Sequence, residues 1–360
     1  MNIDYLATAI ALATFFGISA LMALSLNLEY GVAGVPNFGQ ALFVSIGAYT
    51  AGVTYTRLLP LLAGRAPIYP CGATLAQALQ LRASLIGGIS AAGLLNLAIT
   101  LLVALVVGGL AGYLAAYPAL RVKEEWYLAL VLLVGSEVVR IVVRGYEPII
   151  CAQNGLAGIA QPFVGLPSPT LASAAFAALV LALAAVVYVF CERLVRSPYG
   201  RLLKAVREND RVALSLGKRV PRIRAQVMLI GSAIAALAGV LFALNLGFVN
   251  TNDYAVGLTL DVWVMVVLGG VGSNRGALLG ALVVTLLNRA TAIAAIWLNS
   301  LGGRFEFNYV RYILFALILL LMLRYRRQGL LPERTRTTTA HDIVLAQADP
   351  PTAAAPGARR

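Results

Sequence analysis

Two groups of residues in this chain have types and spacing that could do chemistry. Glu137, Arg140 and Arg144 recur at i, i+3 and i+7 in an otherwise apolar run, so a helix there carries all three on one face. A charge near the centre of a bilayer costs at least ~2.5–3.5 kcal/mol, so that face must meet protein or water. Glu137 lies about 11 residues from one end of its run, roughly 17 Å at 1.5 Å per residue and close to a membrane midplane. An intrahelical Glu137–Arg140 pair that steadies a bundle is the first reading, and a place along a solute pathway is the second. Asp261 and Arg289 offer another such pair with weaker support. The second group is a cluster of ten Lys and Arg between positions 193 and 224. A catalytic constellation is missing. There is a single histidine, His341, no cysteine pair at metal-ligand spacing, no Walker loop and no GxGxxG ahead of a soluble helix. No catalytic residue and no metal site are therefore expected, and energy for any work must come from an ion gradient or another polypeptide.

The elements that position these residues are membrane helices. Of the 360 residues, 60% are hydrophobic and 12% charged, and the mean hydropathy is +0.84. Soluble chains hold roughly 45–50% apolar and about 25% charged residues, so a soluble enzyme and a disordered chain are both excluded. A span needs about 20 mostly apolar residues. Nine runs qualify, at 5–28, 37–56, 86–116, 126–145, 170–191, 225–247, 257–272, 276–298 and 310–323. The fold expected is all-α, a polytopic membrane protein of about nine helices. The first run is read as a retained helix, because Met1–Tyr5 carries no basic residue and the run is longer than the 7–15 residues or so of a signal peptide's apolar region.

The formal net charge of +13 then has a topological explanation. With the N-terminus outside and the C-terminus inside, 20 of the 28 Lys and Arg fall in inside segments, including Arg121, Lys123 and Arg275. Four (Arg57, Arg65, Arg82 and Arg304) fall outside, and four lie in or at the ends of spans. That bias follows the positive-inside rule and removes the need for a nucleic-acid partner. Cys71 and Cys151 both fall in outside loops, where a bridge is permitted; two ordinary small residues is the reading preferred here. Residues 1–330 form the membrane domain, and 331–360, with its TRTTTA and DPPTAAAPGARR stretches, is expected to be a disordered cytoplasmic tail.

Within the inside loop 192–224, Ser197-Pro198 offers a helix start and Gly217 a stop, with Pro221 preventing resumption. Leu202, Leu203, Val206, Val212, Ala213 and Leu216 supply a partial apolar face between basic residues. Such a helix can lie on anionic lipid, serve as a solvated connector, or dock a cytosolic partner. Two glycine-punctuated stretches, Gly31–Gly39 with Pro36 and Gly269–Gly276, interrupt or open spans. They are either inter-span turns tightened by glycine, or broken helices whose starts face a substrate carboxylate.

Four stretches, in order along most of residues 20–290, resemble the branched-chain amino acid ABC transporter permeases, and their M-type member most. They are Gly31–Tyr49 (GVAGVPNFGQALFVSIGAY), Leu120–Ile159 with its NGLAGI end, Ser197–Asp210 (SPYGRLLKAVREND) with the following Ala213 and Gly217, and Gly269–Gly280 (GGVGSNRGALLG). The sequence departs from the family pattern at Asn37 and Gln40, where Ser and His are usual, at Glu124-Glu125-Trp126, and at Cys151-Ala152-Gln153. The resemblance implies a permease subunit of an importer in the cell membrane that binds no cofactor itself, since ATP and Mg are used by partner subunits. It implies cytosolic ABC ATPases, a second homologous permease and an extracytoplasmic solute-binding protein as partners. It makes 198–217 a cytoplasmic coupling helix, with Arg201, Arg207, Glu208, Ala213 and Gly217 as its coupling residues. Asn37, Gln40, Glu137, Arg140, Asn154, Gly270 and Ser273 are the candidate pathway-lining residues. The solute implied is a branched-chain or related amino acid; the alternatives are another small polar solute such as urea or an amide, and an ion-coupled secondary transporter. An integral-membrane enzyme is disfavoured by the missing acid–base pair and nucleophile.

Overall fold

The computed structural model describes residues 4–86, 91–119, 125–159, 161–300 and, of 313–333, all but 314, 315, 319, 323 and 327. Arg121, Lys123, Arg304, His341 and the expected tail from 334 onward lie outside the described residues, and the expected run 310–323 is only partly described. Helix α1 (Tyr5–Leu26) opens at Asp4, whose carboxylate accepts hydrogen bonds from the Leu6 and Ala7 amides at 3.1 and 3.2 Å, an N-cap that satisfies two otherwise unpaired donors. It runs on through a π-helical segment, Asn27–Val32. Helix α2 (Gln40–Val53) continues through a second π segment, Thr54–Leu58, into α3 (Leu59–Leu62). There follow α4 (Leu75–Ile86), α5 (Ala91–Ala119), α6 (Glu125–Gly145) and α7 (Glu147–Ile150). The second half holds α8 (Pro169–Arg196), α9 (Pro198–Glu208), α10 (Asp210–Ser215), α11 (Val220–Leu246), α12 (Val256–Gly269) and α13 (Asn274–Ser300).

Five helices among the described residues are long and apolar enough to cross a membrane: Tyr5–Val32, Ala92–Tyr117, Pro169–Arg196, Val220–Leu246 and Asn274–Ala294. The expected runs at 37–56, 126–145 and 257–272 are also helical, but are not among these five. Helix α12 has 14 residues, about 21 Å at 1.5 Å per residue and short of a ~30 Å core. Its helix stops at Gly269 because Gly270 takes φ +121°, a conformation that side chains avoid.

Helix α11 is the axis of the fold, buried along nearly its whole length against α1, α2 and α5. Its contact with α2 is a backbone-to-backbone approach: a Cβ on Gly47 would collide with the Ala236 carbonyl, and one on Gly239 with the Val44 carbonyl. Small residues let membrane helices come this close, where packing must substitute for the hydrophobic effect. At 27 residues, or roughly 40 Å, α11 also separates two ends of the molecule.

At one end two short strands, β1 (Leu156–Ala157) and β2 (Phe248–Val249), pair antiparallel with Leu156 opposite Val249. The loops beside them are bridged by a Cys71–Cys151 disulfide, with Cα atoms 5.4 Å apart. That corrects the preferred reading of two unlinked cysteines, since their proximity comes from an 80-residue separation folded back on itself. Arg57 donates to the Pro148 carbonyl at 2.8 Å and Arg82 to the Ala157 carbonyl at 2.5 Å, so both basic residues brace the same loops. The other end gathers α9, α10, the start of α11 and residues 328–333.

Two outcomes test this packing. Chain cut between residues 71 and 151 should run as one band on a non-reducing denaturing gel and as separate fragments after reduction. Gly47→Ala should lower the detergent-solubilised Tm and folded yield, because the added methyl forces two backbones apart at a cost of about 1–3 kcal/mol.

Candidate functional site

The chain does not cross directly from α1 to α2. After the π segment, residues 33–39 turn back along α1, so that Gln40 donates to Ser25 Oγ at 2.7 Å and lies near the Met22 carbonyl at 3.4 Å. Ser25 is seven residues before the segment's end at Val32, so α2 begins roughly 10 Å inside the bundle. A helix start in that position presents unpaired amides. Side chains satisfy them: Asn37 Oδ1 accepts from the Gly39 amide at 2.8 Å, and Thr259 Oγ1 of α12 accepts from the Ala41 amide at 3.0 Å. Trp263 Nε1 donates to the Asn37 carbonyl at 3.1 Å, and its ring stacks on Phe38 at 4.4 Å. The centre of the network is Glu29, fully buried, which accepts from Asn37 Nδ2 at 2.7 Å and from Ser232 Oγ at 3.4 Å. Gly231 leaves the room its carboxylate occupies. Asn37 and Gln40, expected to line a pathway, are thus buried and bonded to each other at 3.1 Å. Glu29 escapes a reading of apolar runs, because the first run ends at residue 28. Its spacing of four from Ser25 was the available sign that the helix runs on.

Below this network, at the α9 end, four separate stretches meet on Arg207. Its guanidinium donates to the carbonyl of Gly31, among the last carbonyls of the π segment, and to Glu333 at 2.8 Å. A cation at that position satisfies an orphan carbonyl and the helix dipole together. Lys204 pairs with the other oxygen of Glu333 at 2.5 Å. Gly34 lies against the Arg207 side chain, and Gly272 against both Arg207 and Glu333. Burial pushes the Glu333 carboxyl up, but the hydrogen bonds and charges of Lys204 and Arg207 outweigh it and hold the group below the usual range. The segment carrying Glu333 is tied down by the Leu330 and Leu331 amides, which donate to the Leu268 and Gly269 carbonyls at 3.0 and 2.9 Å. Residues 331–333, assigned to the tail from sequence, therefore pack on the bundle. Asn27 adds a further link, accepting from the Gly272 amide at 2.9 Å and donating to Asn274 Oδ1 at 3.0 Å; Asn274 in turn donates to Glu192 of α8 at 3.0 Å.

The expected single helix over 198–217 is two helices. Asn209 takes an extended conformation, and its side chain accepts from the Val212 amide at 3.1 Å, ending α9 and capping α10. Leu203, Val206 and Ala213 face the bundle; Arg201, Glu208, Val212, Leu214 and Leu216 are exposed, Leu216 by 72%. Gly217, at φ +75°, closes α10. Gly270 and Ser273 sit at this same end: Gly270 is pressed against the Leu331 carbonyl, and Ser273 Oγ accepts from the Gly276 amide at 3.2 Å at the start of α13. Glu137 and Arg140 form the intrahelical pair at 2.7 Å, on the face of α6 that also holds buried Leu132, Ser136 and Val143. Asn154 is exposed in the loop after Cys151, at the disulfide end and remote from α9.

Comparison with known proteins decides what a buried, discontinuous helix start tied to a surface helix pair belongs to. Residues 8–323 match the family model for the branched-chain amino acid transport system, permease component. The chain belongs to that family. It is 36% identical over 337 residues to a probable branched-chain amino acid transport permease protein LivM of Methanocaldococcus jannaschii, covering 93% of this chain and 95% of that one. It is 28% identical over 350 residues to the high-affinity branched-chain amino acid transport system permease protein LivM of Escherichia coli, covering 89% and 69% of the two chains. The LivH permease protein of Salmonella typhimurium matches a shorter stretch, 33% identical over 128 residues, covering 35% of this chain and 38% of that one. No solved structure matches the chain. The protein is therefore a multi-pass membrane permease subunit of an ABC importer, a transport component and not an enzyme.

The Arg207 junction makes a pH prediction. Because the folded carboxyl of Glu333 titrates below its ordinary value, its pairs stabilise the docked segment above that value and are lost as pH falls through the lower, folded one. Glu333→Gln should lower the protection factors of the Leu330 and Leu331 amides about fivefold, equivalent to about 1 kcal/mol for partly solvated pairs. Acidification below the usual glutamate range should lower them in the wild type and leave the variant unchanged, measured by hydrogen exchange after correction for intrinsic rates.

Proposed function

We propose that this subunit carries branched-chain amino acids inward across the membrane, powered by ATPases that grip α9 and α10. The observation that carries the coupling half of this reading is the two-sided character of that helix pair. One side, Leu203, Val206 and Ala213, packs on the bundle, and the other offers Val212, Leu214 and Leu216 to a partner. Arg207 connects the pair to the end of α1 and, through Glu333 and Gly272, to the α12–α13 turn. A partner that shifts α9 would pull on both glycine breaks at once, and the buried start of α2 sits one layer deeper along the same segment. Parting of the Glu29, Asn37 and Gln40 bonds would open the bundle's centre, which makes these residues gate elements of the pathway, alongside Glu137 and Arg140 on α6. Alternating access then follows from a bistable packing moved by an external motor.

The orientation that suits this reading places the α9 end in the cytoplasm and the disulfide end outside, with about nine spans, N-terminus out and C-terminus in. Ten basic residues between 193 and 224 favour that side, and a disulfide favours an oxidising compartment for the other. The relatives named LivM and LivH favour pairing with a second permease of the same family, a solute-binding protein delivering the amino acid.

A single cysteine at Leu216 should crosslink to a nucleotide hydrolase in native membranes, and proteoliposomes holding the whole complex should accumulate radiolabelled leucine when ATP is supplied on the α9 side. Accumulation of urea or an amide in place of leucine, isoleucine and valine would overturn the substrate; absence of any ATPase crosslink would overturn the coupling.

A further inference from the structure

Tyr49 of α2 and Tyr254, in the turn Thr251–Tyr254 before α12, are buried to 7% and 3% exposure, with ring centroids 5.8 Å apart in an edge-to-face contact. Phe242 of α11 closes the other side of Tyr254 at 6.1 Å, also edge-on. Neither tyrosine hydroxyl has a hydrogen-bond partner among the described residues. Ser45, beside Tyr49, donates its own hydroxyl proton to the Leu42 carbonyl at 2.7 Å. A buried, unpaired hydroxyl costs free energy that phenylalanine in the same space would avoid. Packing alone therefore accounts for two aromatic rings here and leaves two phenol groups unexplained.

The surroundings are charged in a particular pattern. Arg140, held in place by Glu137 at 2.7 Å, lies within electrostatic reach of Tyr49. Asp253 acts on both tyrosines from the turn, and it and Asn252 are exposed towards the disulfide end. A guanidinium with two hydroxyl donors suits a carboxylate, an aspartate suits an ammonium, and three aromatic rings suit an apolar side chain. These are the three parts of a branched-chain α-amino acid, disposed between α2, α6 and the Thr251–Tyr254 turn.

We infer that this aromatic cage is a binding site for the transported amino acid at the disulfide end of the pathway, an inference that rests on the transport reading above. The carboxylate accepts hydrogen bonds from the hydroxyls of Tyr49 and Tyr254 with Arg140 behind them, and the ammonium faces Asp253. The aliphatic side chain packs among the rings of Tyr49, Tyr254 and Phe242. The rings touch in this structure, so the site is closed and opens when α2 and α6 move apart from the turn.

Tyrosine-to-phenylalanine variants test this directly, since each keeps the ring and removes only the hydroxyl. In proteoliposomes holding the complete transporter, with radiolabelled leucine as the probe, Tyr49→Phe and Tyr254→Phe should each lower initial uptake about tenfold, the worth of one hydrogen bond to a charged group. Subunit abundance and ATP hydrolysis should stay within about twofold of wild type. Tyr55→Phe is the control: its hydroxyl is also buried and unpartnered, but it lies further along, in the π segment after α2, and its loss should leave uptake unchanged. Uptake by both Tyr49→Phe and Tyr254→Phe within about twofold of wild type overturns the site, as does an equal loss in Tyr55→Phe. A wild-type transporter that carries no leucine overturns the transport reading and the site with it.

Discussion

Every backbone N–H and C=O placed in hydrocarbon must find a partner inside the protein, at a cost of several kcal/mol if it does not. Much of the described structure is arranged around a place where the chain leaves regular hydrogen bonding. Between Val32 and Gln40 the backbone leaves helical geometry within the bundle and starts a new helix below the surface. The demand is met by a dense set of side chains, Asn37, Gln40, Thr259 and Trp263, with the buried Glu29 carboxylate holding Asn37 in register. Such a network is satisfied only in one arrangement, so its bonds must exchange together if the helices part. That makes the α1–α2 turn a rigid element.

The Arg207 junction extends the same logic to the surface. A cation that caps the end of α1 while pairing with Glu333 makes the position of α9 a condition for satisfying the Gly31 carbonyl. The glycines at 34 and 272 exist to let this side chain through, since a Cβ at either would meet it. Displacement of α9 alone would leave that carbonyl without its partner. The turn between α12 and α13 is subject to the same control through Gly270, which is clamped by the backbone of Leu331.

Much of this was legible from sequence, and for identifiable reasons. Apolar runs of about 20 residues mark helices in any context, so the helical regions fell close to their expected places. The 198–217 loop and the two glycine breaks declared themselves because glycine, proline and clustered arginines have few other uses within apolar sequence. The Glu137–Arg140 pair was legible because it is local, three residues apart on one helix. What escaped was non-local. Glu29 lies beyond an apparent span end, and only its burial against Ser232, 203 positions away, makes it the centre of a network. The break of one expected coupling helix into α9 and α10 turns on the extended backbone of Asn209, which a helical amphipathic pattern passes over. The Cys71–Cys151 bridge and the docking of Glu333 likewise depend on loops brought together by the whole fold.

The stiffness of α11 joins the two ends. It is packed backbone-to-backbone with α2 through Gly47 and Gly239, so the two helices cannot slide independently without losing contacts that only glycine allows. The interior start of α2 is bonded to the network above Arg207, and Tyr49 of the same helix stands beside Tyr254 at the far end. On the proposed reading, a force applied at α9 would reach the Tyr49–Tyr254 contact through one helix pair, with no need for a chain of small side-chain adjustments. The disulfide, β1 and β2 brace the loops around that end. Close glycine packing on one side of α2 and orphaned hydroxyls on the other are thus two aspects of one design: a helix held firmly along its length and left unsatisfied where a solute would complete it.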